Sequence, residues 1–365
     1  MKQNARTIGI VLVAALWLLL AGLAWFGPKK EISDAERRPL EQMPAITDKS
    51  LLNGDFMTDF EKYSQDQFPV RDTFRQIKSL FHTYLLQQKD NNGIYIADGY
   101  AAELAYPLDR ESADHALGQF QKVYDKYLAG GSGNIYTAVI PDKGYYLSQQ
   151  NGYPAMDYGQ LFSAVENKMP WATYVDLTDT LTAESYYRTD THWRQEMLIP
   201  TAQKLAQAMN VTAPKAENFT KTAVSRPFYG VYYGQAALPM KPETLYLMEN
   251  EMLSGCKVYS YEKDAYTQIY NREKLEGKDP YEVFLSGPEA LLRIENPNAA
   301  TDRELIVFRD SYASSLIPLL LQDYKTVTLV DLRYIQIGQL GRFVEFKDQD
   351  VLFIHSTLVL NKKLI

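Results

Sequence analysis

From residue 113 to residue 354, short β-rich runs alternate with segments whose apolar residues recur every three or four positions. The strand-like runs are Asn134 to Ile140, Tyr174 to Leu177, Tyr281 to Leu285, Leu291 to Ile294, Leu305 to Phe308, Thr326 to Val330 and Val351 to Ile354. Helical spacing marks 113–128, 158–169, 193–209, 313–322 and 335–343. Strands that alternate with helices pair in parallel, and a parallel sheet needs helices over both faces. The expectation is a three-layer α/β domain. One stretch, about 220–270, breaks the rhythm with short Tyr-rich pieces such as Phe228-Tyr229-Gly230-Val231-Tyr232-Tyr233-Gly234. It reads as a β-rich, antiparallel insertion.

Two motifs within this frame carry chemistry. Asp190-Thr191-His192-Trp193 sets a carboxylate two residues from an imidazole. Asp310-Ser311-Tyr312 follows the apolar run Leu305 to Phe308, so Ser311 falls where a strand turns into a helix. Open α/β sheets bind ligands at that edge. A serine hydroxyl is a weak nucleophile without a base, and the base needs a third group to fix its tautomer. Ser311, His192 and Asp190 are the residue types for those roles, and the Ser311 backbone N–H is the natural oxyanion donor. His355, at the end of the last strand, is the rival base, without a carboxylate two residues away. Trp193 reads as packing beside the imidazole. Lys143, Tyr312 and Arg333 are the candidate substrate contacts; for Lys143 the competing account is a solvated loop, and for Arg333 a salt bridge.

Composition narrows the partners. A formal charge of −7 and a pI near 5.3 lack the basic footprint that nucleic-acid binding needs. Cys256 is the single cysteine, and His82, His115, His192 and His355 lie far apart, so neither a disulfide framework nor a metal centre is expected. No cofactor is expected either. The 27 tyrosines suit Tyr-rich strands or a surface that stacks on sugars, with Tyr229, Tyr232 and Tyr233 as the sugar-stacking candidates.

Ile8 to Phe26 is free of charge and long enough, at ~1.5 Å per residue, to reach across roughly 28 Å of hydrocarbon. Trp25 and Phe26 stand where an interfacial belt forms. Residues 1–30 read as an uncleaved signal anchor; the alternative is a cleaved signal peptide ending near Gly22-Leu23-Ala24. Residues 31–110 read as a tether followed by helices, broken at Pro69, and a hairpin turning at Asp98-Gly99.

At these residues the chain resembles the DHHW family of bacterial extracytoplasmic proteins, which is similar to the SGNH-hydrolase-like proteins that O-acetylate alginate. Glu36-Arg37-Arg38-Pro39-Leu40 resembles the family's E-x-R-x-L opening, and Asp66-Gln67-Phe68-Pro69 with Arg71-Asp72 its D-Q-F-P-x-R-D element. Asp190-Thr191-His192-Trp193 is the naming motif, with Thr191 where the family often has His. Asp310-Ser311-Tyr312 and Asp331-Leu332-Arg333-Tyr334 resemble later blocks. The resemblance implies an SGNH-like α/β domain over residues 111–365 and a triad of Asp190, His192 and Ser311. It also implies an extracytoplasmic position, single-pass in the cell membrane, and O-acyl transfer or ester hydrolysis on a cell-surface polysaccharide. A membrane-bound O-acyltransferase would be the acyl donor. Gly287-Pro288 stands where an SGNH-type Gly-Asn would supply an oxyanion amide, and proline has no N–H to offer. The competing function is a non-catalytic, membrane-anchored polysaccharide-binding or envelope-assembly protein.

Overall fold

The computed structural model describes residues 2–365, with side chains from Arg6 onward. The chain forms two compact units, residues 1–92 with 233–239, and residues 93–232 with 240–365.

The larger unit is built on an eight-stranded sheet. Its strands are β1 (Ile135–Ile140), β2 (Thr173–Tyr174), β3 (Lys257–Ser260), β4 (Ala265–Thr267), β5 (Leu291–Glu295), β6 (Arg303–Arg309), β7 (Tyr324–Val330) and β8 (Asp350–Ser356). The order across the sheet is β4-β3-β5-β7-β6-β8-β1-β2. From β7 to β2 every pairing is parallel, and β5, β3 and β4 extend the other edge antiparallel. This is the mixed α/β architecture, with its large, mostly parallel sheet, that the alternation implied.

Period-two alternation distributes each strand between two cores. Leu305 and Val307 of β6 point into one, with Ala202 and Leu205 of the helix Ile199–Ala208. Ile306 and Phe308 point into the other, against Leu117 and Phe120 of the helix Arg110–Val123. Both faces are thereby covered, as a parallel sheet with wholly apolar strands requires.

Several elements differ from their sequence reading. Tyr281 to Leu285 is not a strand: Asp279 caps a 3-10 turn over Pro280–Val283, with proline at its favoured first-turn position. The helix read from Trp193 starts only at Ile199, since Pro200 is tolerated in a first turn but not in a helix interior. Residues 313–322 and 335–343 are mostly 3-10 helix rather than α-helix. In the Tyr-rich stretch, Val231–Ala236 is helical. Of the rest, Thr220–Ala223 pairs with Tyr246–Glu249, while β3 and β4 join the main sheet. The hairpin Ile94–Ala97 with Tyr100–Glu103 turns on Asp98 and Gly99, both at positive φ (51° and 80°), the twist that matches flanking strands.

In the smaller unit, the E-x-R-x-L and D-Q-F-P-x-R-D motifs close on each other. Asp66 accepts from both Arg38 terminal nitrogens (2.8 and 2.6 Å), and Glu36 pairs with Arg71 and Arg75 at 2.6 and 3.1 Å. These motif residues act as a structural node. The Arg38 guanidinium holds the Asp66 carboxyl below its ordinary range. The helix Lys2–Phe26 contains one apolar span, Arg6–Phe26, none of it buried by protein.

Candidate active site

The carboxyl end of β6 presents Ser311. Asp310 sets its position: Oδ1 accepts from the Tyr312 N–H (3.0 Å) and Oδ2 from the Ser356 N–H at the end of β8 (2.7 Å). The turn is thus tied to the neighbouring strand.

Asp190 and His192 lie on a loop between Tyr186 and Trp193, which meet as an isolated antiparallel bridge. Asp190 does not cap a helix. Its Oδ1 accepts from the His192 backbone N–H (3.0 Å) and contacts His192 Nδ1 (2.7 Å), while Oδ2 accepts from the Val231 N–H (2.8 Å). His192 Nε2 lies 2.8 Å from Ser311 Oγ. Carboxylate, imidazole and hydroxyl therefore form one continuous hydrogen-bonded line across 121 residues of sequence. Asp190 is fully buried and His192 is 7% exposed, so water competes little for either bond.

The imidazole is also held edge and face. Tyr281 stacks on it with ring centroids 3.9 Å apart and planes at 9°. The Tyr281 hydroxyl bonds Ser315 Oγ (2.8 Å), and burial pushes its pKa far above the ordinary tyrosine value. Trp193 Nε1 donates to Tyr312 O (2.9 Å) and Ser315 Oγ (3.0 Å), tying the His192 loop to the segment after Ser311. Glu243 braces the same loop from below through the N–H groups of Arg188 and Thr189, both at 2.8 Å.

Sequence reasoning missed Tyr281, Gly230 and Glu243. Nothing in their spacing marks them, because their link to the motif is made only by the fold. Removing the Tyr281 ring with Tyr281→Leu should lower turnover of an acyl-ester substrate by ~2–10-fold, the effect of losing an aromatic contact of about 0.5–1.5 kcal/mol. Tyr281→Phe, which keeps the ring, should stay near wild type. Equal losses in the two variants in steady-state assays would show that the hydroxyl, not the stack, matters.

Of the three candidate substrate contacts, Lys143 and Tyr312 are buried within the protein and Arg333 is partly exposed. Lys143 is buried, and its Nζ donates to the carbonyls of Asp190 (2.6 Å) and Tyr187 (2.8 Å), with the Tyr232 ring beneath it. It is a clamp on the loop, because a buried ammonium must satisfy its donors. Tyr312 is 3% exposed; its hydroxyl donates to Thr191 O (2.7 Å). Arg333 closes a two-pronged ion pair with Asp331 (2.8 and 2.6 Å). The rival base, His355, is buried against Phe120 and has its pKa lowered by burial to about 4. Of the sugar-stacking candidates, Tyr232 is buried and Tyr229 is exposed.

Burial also lowers the Lys143 pKa, to about 7 from 10.5. Between those values the unfolded chain binds the proton and the folded one does not, so this group adds stability as pH rises from about 7 toward 10.5. Wild type should therefore gain melting temperature relative to Lys143→Met between pH 7 and pH 9. Parallel pH profiles of the two proteins in thermal melts would contradict this.

Among the described residues, no group of His, Cys, Asp and Glu is arranged to hold a metal ion. Carboxylate, imidazole and hydroxyl are the residue types that acid–base and nucleophilic chemistry uses.

The family model of DHHW proteins matches residues 161–330. The fold is similar to that of a DHHW family protein from Eubacterium siraeum, with 21% identity over 75% of this chain and 93% of that one and a TM-score of 0.60. Bacillus cereus PatB1, solved with a sulfonyl adduct, shares 17% identity over 72% of this chain and 93% of its own, with a TM-score of 0.55. The O-acetyltransferase domain of Pseudomonas putida AlgJ shares 16% identity over 75% and 94%, with a TM-score of 0.46. No curated protein matches the sequence. At these identities the likeness to the first two structures is one of fold. The matched segment, residues 161–330, supplies Asp190, His192 and Ser311, and over it the chain is similar to DHHW family proteins.

Proposed function

We propose that this protein is an extracytoplasmic, serine-dependent O-acyltransferase or esterase acting on acyl groups of a cell-surface polysaccharide. One observation carries the reading: the unbroken line from the Asp190 carboxylate through His192 to Ser311 Oγ, with bonds of 2.7 and 2.8 Å. Those lengths are within the reach that proton transfer requires.

In this scheme Ser311 Oγ attacks the acyl carbonyl and passes its proton to His192 Nε2. Asp190 Oδ1 holds the Nδ1–H and offsets the charge on the ring. The Ser311 N–H, at the turn into the helix Ala313–Leu316, faces the developing oxyanion. Collapse of the tetrahedral intermediate expels the donor's oxygen, which takes the proton from His192, and leaves an acyl-serine. An acceptor hydroxyl then loses its proton to His192, attacks the acyl carbon and restores Ser311. A sugar hydroxyl as acceptor makes the protein a transferase; water makes it an esterase. The resemblance supports a membrane-bound O-acyltransferase as donor, and the unburied apolar span Arg6–Phe26 supports a single-pass anchor.

The test is covalent. An aryl sulfonyl fluoride should label Ser311 stoichiometrically, as read by peptide mass mapping, and block turnover of a chromogenic acetyl ester. No label at Ser311, together with no ester turnover, would overturn the assignment and favour a non-catalytic envelope protein.

A further inference from the structure

The helix Arg71–Leu80, continued by a turn over Phe81–Leu85, is amphipathic in the reverse sense to a helix of a soluble domain. Its inner face is polar. Within the smaller unit, Arg75 donates to the carbonyls of Gly234 (2.9 Å) and Gln235 (3.3 Å), and Ser79 to that of Ala236 (2.9 Å). Asn91 donates to Ser79 Oγ and to the same Ala236 carbonyl. Its outer face carries Phe74, Ile77, Phe81 and Leu85, spaced at i, i+3, i+7 and i+11, which remain 45%, 57%, 49% and 66% exposed. A row of large apolar side chains left open over this length marks an interaction surface.

The same unit shows what covers it. The apolar span Arg6–Phe26 ends four residues before Lys30. The Lys30 N–H donates to Gln67 Oε1 (3.0 Å), and Gln67 Nε2 donates back to the Lys30 carbonyl (2.8 Å). Gln67 lies four residues before Arg71. Trp25, at the end of the span, meets the Phe60 ring at 6.4 Å. The start of the outward-apolar helix is therefore fastened to the point where the span leaves the hydrocarbon, and Lys29 and Lys30 there, with Lys78 on the helix, match an anionic lipid surface.

We infer that the segment Arg71–Leu85 lies in the membrane interface, its Phe74–Ile77–Phe81–Leu85 face sunk among lipids as a second, non-spanning contact beside the anchor. Helices of this kind sit roughly 5–10 Å into the headgroup and acyl boundary. The polar inner face stays bonded to the body of the unit, so the segment needs no rearrangement to dock. This rests on the reading of Arg6–Phe26 as an uncleaved anchor, and not on the chemistry of Ser311.

The test uses the full chain in vesicles of phosphatidylcholine and phosphatidylglycerol. In a Cys256→Ala background, Ile77→Cys, Phe81→Cys, Asp72→Cys and Leu16→Cys are each labelled with an environment-sensitive nitrobenzoxadiazole dye. The expected result is several-fold stronger quenching of the Ile77→Cys and Phe81→Cys labels by shallow spin-labelled lipid than of the Asp72→Cys label. Aqueous iodide should show the reverse order, and the Leu16→Cys label should respond to deep spin-labelled lipid. A lipid-quenched Leu16→Cys label beside iodide-quenched labels at 77 and 81 would overturn the docking while leaving the anchor intact. Labels at 77 and 81 shielded from both quenchers would replace lipid by a second copy of the chain. A Leu16→Cys label that lipid does not quench would remove the anchor, and the docking with it.

Discussion

Ser311→Ala is expected to lower turnover of a chromogenic acetyl ester by roughly 10⁴–10⁶-fold and to abolish sulfonyl labelling, with the melting temperature unchanged. The size follows from how such sites work as units: losing the nucleophile or the base leaves only binding and oxyanion stabilisation, a residual catalysis of roughly 10³–10⁴ over water. Asp190→Asn tests the same line at its other end. An amide in place of the carboxylate reverses the hydrogen-bond polarity at His192 Nδ1 and favours the wrong ring tautomer; in a serine protease that change costs about 10⁴ in kcat. Asp190 also accepts from the backbone N–H groups of His192 and Val231, so Asp190→Asn should lower the melting temperature where Ser311→Ala does not. Turnover of Ser311→Ala within tenfold of wild type in a steady-state assay would contradict the scheme.

Gly230→Ala should lower both stability and turnover, because it acts directly on the loop that carries Asp190. A Cβ at this position would lie 2.2 Å from Asp190 Cβ, 2.3 Å from its Cα and 2.4 Å from its N. Two of those three atoms are backbone and cannot swing aside, so the loop carrying Asp190 must move. The Gly230 N–H donates to Thr189 Oγ1 (3.0 Å) and the next N–H to Asp190 Oδ2 (2.8 Å), and both bonds would move with it. Overpacking of this kind costs about 1–3 kcal/mol. A displacement near 1 Å at the site costs about 10²-fold in rate. The expected outcome is a lower melting temperature together with a loss of ester turnover of at least that order. Gly118→Ala provides the comparison: Gly118 sits in the helix Arg110–Val123 with open space where a Cβ would go, and alanine there should be neutral or stabilising by about 0.5–1 kcal/mol. Thermal melts and ester turnover of the two variants, measured side by side, check both expectations.

The elements that the sequence made legible are those with a strong local cause. The apolar runs around Val307 and Phe353 announce themselves because a strand buried on both faces is apolar at successive positions. The Asp98-Gly99 turn does so because only certain residues accept positive φ. The readings that changed were those where periodicity competed with a stronger term. Pro200 delayed a helix that the apolar spacing drew from Trp193, and Asp279-Pro280 turned an apolar run into a helical turn. Lys143 looked like a substrate contact or a solvated loop cation at a strand end because burial is not written in a residue type. The fold covers Lys143, which bonds two carbonyls, while Arg333 stays partly exposed and pairs with the Asp331 carboxylate.

By itself, the order of residues determined the apolar span, the α/β rhythm and the three groups able to do nucleophilic chemistry, because each depends on spacing or residue type within a short window. Only the tertiary structure decided that Ser311 meets His192, that Tyr281 stacks on the ring, and that Gly230 leaves room for Asp190. Those relations join residues from 40 to 119 positions apart, and at that separation contact depends on how the whole sheet packs, not on any local preference.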